Sequence, residues 1–137
     1  MMLLALLLQS VALSPPGPIP GVLPKQALPS KGCAAYLWSV ADRSLVAMAS
    51  ADPGQLRMTI DGRIVDVGQA AARGAGDYGF AAVTDYAGGD LSATLDMTVA
   101  RRPDLAAGAA VPSGTLTIAR AGHDVVVVPV AGVIGCV

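Results

Sequence analysis

Glutamate and asparagine do not occur in this sequence, and all ten acidic side chains are aspartates. Glutamate favours helices and aspartate favours turns, so the choice tilts the chain toward strands and turns. Aromatic residues make up only 4% against 53% hydrophobic residues, so the core has to be aliphatic. Nine lysines and arginines are scattered along a chain of net charge −1. They form no basic stripe to neutralise phosphates, which excludes nucleic acid as a partner. The Arg101-Arg102 pair reads as a solvated strand end. Histidine occurs once and cysteine twice. Cys33, Cys136 and His123 fall short of the four ligands of a structural zinc site, so no metal and no other cofactor is expected. Any general base of the usual kind must be His123. No G-x-S-x-G motif is present, and no serine spacing marks a nucleophile.

What is there begins with an apolar run, residues 1–13, too short for the ~20 residues that span a bilayer. It reads as a secretory signal cleaved after Ala12, with Ser10 and Ala12 at the two small-residue positions. No Lys or Arg precedes the leucines, so the true start is allowed to lie upstream. Residues 13–32 hold six of the ten prolines, a density that removes amide donors and fixes φ. This is an extended Pro-rich linker, without the glycine period of collagen. Ser30-Lys31-Gly32-Cys33 is not a lipidation site, because the linker separates it from the apolar run and Lys31 interrupts the match. The remainder, 33–137, is long enough for one core.

From Cys33 strand signals follow in quick succession. Tyr36, Trp38 and Val40 alternate with Leu37 and Ser39, and Leu45 to Ala49 returns after a turn. Ala51-Asp52-Pro53-Gly54 is a tight reversal. Gln55 to Ile60 and Arg63 to Val67 flank Asp61-Gly62, a pair that accepts the positive φ angles of a two-residue hairpin turn. Residues 68–76 read as a loop or short helical turn, Tyr78 to Tyr86 as a strand, and Ala87 to Asp90 as a turn. Leu91, Ala93, Leu95, Met97 and Val99 alternate with polar residues, predicting one core face and one wet face. Arg101 to Pro112 is the longest connection, with room for a helical turn after Pro103. Leu116 and Ile118 alternate with Thr115 and Thr117, whereas Val125 to Val128 is an unbroken β-branched run suited to a strand covered on both faces. About eight short strands and no long helix predict an antiparallel β-sandwich. It is immunoglobulin-like in the loose architectural sense only, because Trp38 lies just after Cys33 and the second cysteine is terminal.

The two cysteines of an exported chain read as a disulfide, Cys33 to Cys136. Closing a loop of about a hundred residues contributes about 4 to 5 kcal/mol by the chain-entropy argument. His123 lies at a hairpin tip beside Asp124 and reads as a solvated turn residue. Asp77, Asp85 and Asp90 surround a glycine-rich turn and are the place to look for calcium, although turn capping explains them equally well. Tyr36, Tyr78 and Tyr86 could present rings to a sugar or other ligand, while Trp38 and Phe80 are assigned to the core. These features lead to an exported non-catalytic β domain, periplasmic or extracellular, binding a protein or cell-envelope component. The mature chain would carry no transmembrane segment. Two alternatives are a self-associating assembly subunit using strand-edge pairing, and a minor hydrolase using His123 and an aspartate.

Overall fold

The structure, a computed structural model, describes residues 19–137. The expected signal segment, its cleavage site and the first part of the linker lie outside the described residues. Eight strands run β1 Cys33–Ser39, β2 Leu45–Ala51, β3 Gly54–Ile60, β4 Arg63–Arg73, β5 Val83–Gly88, β6 Leu91–Arg101, β7 Gly108–Arg120 and β8 Val126–Cys136. Each pairs antiparallel with the next, and β8 pairs back onto β1 to close a barrel. The expectation of strands is met, but the sandwich is corrected to an up-and-down barrel. Both architectures need the same inward-outward alternation; what separates them is the pairing of the first strand with the last.

That closure carries the disulfide. Cys33 and Cys136 are direct cross-strand partners in the β1–β8 ladder, with Cα atoms 4.1 Å apart and their sulfurs bonded. Gly132 on β8 lies opposite Leu37, and a methyl group there would run into the carbonyl of Tyr36, so glycine is what lets the closing strands approach. The interior is filled by inward aliphatic side chains, among them Leu37, Leu56, Met58, Leu95, Leu116 and Ile134. Eight strands leave a lumen of about the size such side chains fill.

Several segments depart from the sequence reading. Residues 69–73, expected as loop or helical turn, extend β4, where pairing with β5 overrides the helix propensity of Ala70 to Ala72. The strand expected from Tyr78 begins only at Val83. The turn before it folds Phe80 into the core, 7% exposed. The long connection before β7 ends at Gly108, and Pro112 sits inside β7. It falls where the ladder to β8 is interrupted between Val111 and Gly114, a place that needs no amide donor. The valine run alternates after all: Val126 and Val128 pack against the core, while Val125 and Val127 are exposed on the outer wall.

The proline-rich stretch from Ile19 onward lies against the barrel as a strap. The β2–β3 ladder ends upward at Ala47 and Met58, and the strap crosses the gap above. Gly21 N–H donates to the Thr59 carbonyl on β3 (2.8 Å) and Leu23 N–H to the Leu45 carbonyl on β2 (2.7 Å). Leu23 is buried. Further along, the Tyr36 hydroxyl donates to the Ala27 carbonyl. Among the described residues no helix is long and apolar enough to cross a membrane.

Candidate functional site

The up-and-down order puts the turns after β1, β3, β5 and β7 at one end of the barrel, its upper mouth. Two of them are two-residue turns, Asp61-Gly62 and Gly89-Asp90. Asp61 (φ 51°) and Gly62 (φ 77°) both occupy the left-handed region, which aspartate tolerates and glycine adopts freely. Arg120, the last residue of β7, reaches across the mouth to Asp61 with Nη1 2.6 Å from the carboxylate. Its side chain is only 13% exposed, so the guanidinium is a fixed part of the rim.

His123 completes this group. Its Nδ1 lies 3.0 Å from the Ala121 carbonyl, and its Nε2 lies 2.8 Å from Nη2 of Arg120. Arg120 can only donate, so Nε2 accepts from Nη2, and Nδ1 lies 3.3 Å from Arg120 Nε as well. The imidazole is therefore used to hold the guanidinium and the turn.

Between the β3–β4 hairpin and the β5–β6 turn the strands diverge, because β4 pairs with β5 only from Gly68 downward. A pocket of about 510 Å³ opens there. Ile60, Val67 and Leu91, all buried, form its floor, with Asp61, Asp90, Arg120 and His123 on the rim. The neighbouring Asp66 is held by Arg57 through two hydrogen bonds of 2.8 and 3.1 Å. That guanidinium keeps the Asp66 carboxyl below its usual range. Asp90 is placed by its carbonyl, which accepts from Ala121 N–H (3.1 Å), and among the described residues its carboxylate has no cationic partner within ion-pair distance. The rim thus carries one carboxylate in excess beside an apolar floor.

The residues singled out in the sequence fare unequally. The cysteines meet. Asp77, Asp85 and Asp90 do not: Asp77 pairs with Arg101 at the lower end of β6, and Asp90 precedes the upper end of the same strand. Those ends are separated by roughly 30 Å at the usual strand rise. Asp85 is engaged by Thr94 and Arg73, and among the described residues no cluster of three potential ligands is suited to a metal. Tyr36, Tyr78 and Tyr86 share no face. Tyr36 lies under the strap on the outer wall, Tyr86 is inside the barrel, and Tyr78 (φ 56°) packs beneath Arg101 at the lower rim, 5.7 Å from ring centre to guanidinium. Trp38, assigned to the core, points outward and is 37% exposed. Together with Val40, Val127 and Val133 it gives the outer wall of β1 and β8 an apolar face. Asp124 makes no described hydrogen bond to His123. The Arg120–Asp61 pair escaped the sequence reading because its members lie 59 residues apart; only the Asp-Gly turn hinted that Asp61 stands at a tip.

No protein-family model matches the chain, and no curated protein or solved structure is significantly similar to it. Fold and site together define an eight-stranded up-and-down β-barrel, sealed by a disulfide at its closing seam, with a polar-rimmed pocket at its upper mouth.

Proposed function

We propose that the protein is an exported, non-catalytic binding barrel that captures, at its upper mouth, an envelope or extracellular component presenting a short apolar chain beside a cationic group such as a primary amine. The observation that carries this reading is the pairing of the buried Ile60, Val67 and Leu91 floor with the uncompensated Asp90 carboxylate. Pockets with an apolar floor and a few convergent polar groups are the usual form of small-ligand sites, and barrel mouths are a usual place for them. Export is supported by the disulfide, which persists in oxidising compartments. The absence of catalysis is supported by His123, whose described partners are Arg120 and a backbone carbonyl and not a carboxylate or a nucleophile.

Titration with n-hexylamine and, separately, n-hexanoate tests this. The amine saturates and raises the melting temperature, the carboxylate does neither, and Asp90→Asn weakens the amine about tenfold, equivalent to ~1.4 kcal/mol. Equal binding of both, or of neither, contradicts it. A second reading, a protein partner laid against the outer wall, draws on the exposed Trp38, Val40, Val127 and Val133.

A further inference from the structure

We propose that the strap from Ile19 to Pro24 is exchangeable, and that two copies of the protein associate by seating each strap in the other's β2–β3 gap. Every strand of the barrel has a partner on each side, but the β2–β3 ladder stops at Ala47 and Met58. The carbonyls of Leu45 and Thr59 above that point are satisfied by Leu23 and Gly21 of the strap. A barrel whose strap has lifted leaves two acceptors and the Leu23 site open, which an extended chain of the same kind fits. The segment shown to fit is the protein's own, so a second copy offers the same contacts.

Two observations point to release. Thr59 Oγ1 is buried with no hydrogen-bond partner while the strap is seated, which lowers the cost of lifting the strap and is the same whether the seated strap is the chain's own or a neighbour's. The connection from Pro24 to Gly32 is largely exposed, and extended it spans roughly 30 Å, enough to carry a strap to a neighbouring barrel. Among the described residues its polar attachments to the barrel are single contacts, at Gln26, Ala27, Lys31 and Gly32.

Gly21 and Thr59 are antiparallel bridge partners, at a separation a disulfide accepts. A Gly21→Cys chain is therefore mixed with a Thr59→Cys chain at high concentration under mild oxidation. The expected result is a covalent heterodimer whose yield rises with concentration and exceeds by about tenfold that obtained when Thr115→Cys, exposed on β7 at the far side of the barrel from β3, replaces Thr59→Cys. A yield no greater than this collisional control overturns the proposal. Unmodified chains, one pool labelled with nitrogen-15 and one unlabelled, provide a check free of new cysteines. Native mass spectrometry should show mixed-mass dimers that are lost in Leu23→Asp, whereas monomer at every concentration, or a dimer indifferent to Leu23→Asp, counts equally against it.

Discussion

Tyr86 lies inside the barrel, 2% exposed, and burial pushes its phenol up to about 12. The unfolded chain releases this proton near pH 10, the ordinary tyrosine value. Stability from this residue is therefore full below about pH 10 and falls as the pH rises toward 12, by about 2 to 3 kcal/mol. Denaturant midpoints measured across that window should drop in the native protein and drop much less in Tyr86→Phe. At the acid end the sign is opposite. Arg57 lowers Asp66, so the stability of that pair is present above the ordinary aspartate value and is lost as pH falls through the lower folded one. Both partners are about a third exposed, which keeps the loss small. Leu95, fully buried among the aliphatic residues of the lumen, is the better gauge of packing. Leu95→Ala should cost about 2 to 5 kcal/mol in chemical denaturation; a cost below about 1 kcal/mol would show that the lumen collapses around the cavity.

The elements differ in how much of them the sequence disclosed, for identifiable reasons. The β3–β4 hairpin was legible because Asp61-Gly62 solves a steric problem within two residues. Gly62→Ala, which forces a side chain into φ 77° with open space around it, should cost about 1 kcal/mol by backbone strain alone. A neutral result would mean the turn relaxes to another type. The alternation of β6 was legible because one of its faces is buried and the other wet. The valines of β8 were not, since their outward members are exposed although apolar, and a sequence carries no mark of which wall faces water. Ala70 to Ala72 misled through helix propensity, which ladder formation with β5 overrides. The strap misled through its prolines, because Gly21 and Leu23, between Pro20 and Pro24, keep the amides that the barrel uses.

For the whole molecule, closure is decided by β1 meeting β8 across almost the entire domain, and no local pattern encodes that meeting. The only sequence signal of it was the cysteine pair. Cys33→Ser with Cys136→Ser should leave a folded barrel, because the β1–β8 ladder remains. It should lose about 4 to 5 kcal/mol by the loop-entropy argument, lowering the melting temperature by roughly 20 °C. An unchanged melt would show the ladder alone holds the seam. The rim of the candidate site was equally distant in sequence: Asp61, Asp90, Arg120 and His123 come from three different turns. The sequence offered the turns but not their convergence on one mouth.

The most direct test of that convergence is a nitrogen-15 amide titration of the disulfide-intact protein with n-hexylamine. Saturable shifts confined to the pocket are expected at Asp61, Val67, Asp90, Leu91 and His123, with marked weakening in Asp90→Asn. Shifts centred on Trp38, Val40 and Val127, or spread without saturation over the surface, would contradict binding at the barrel mouth.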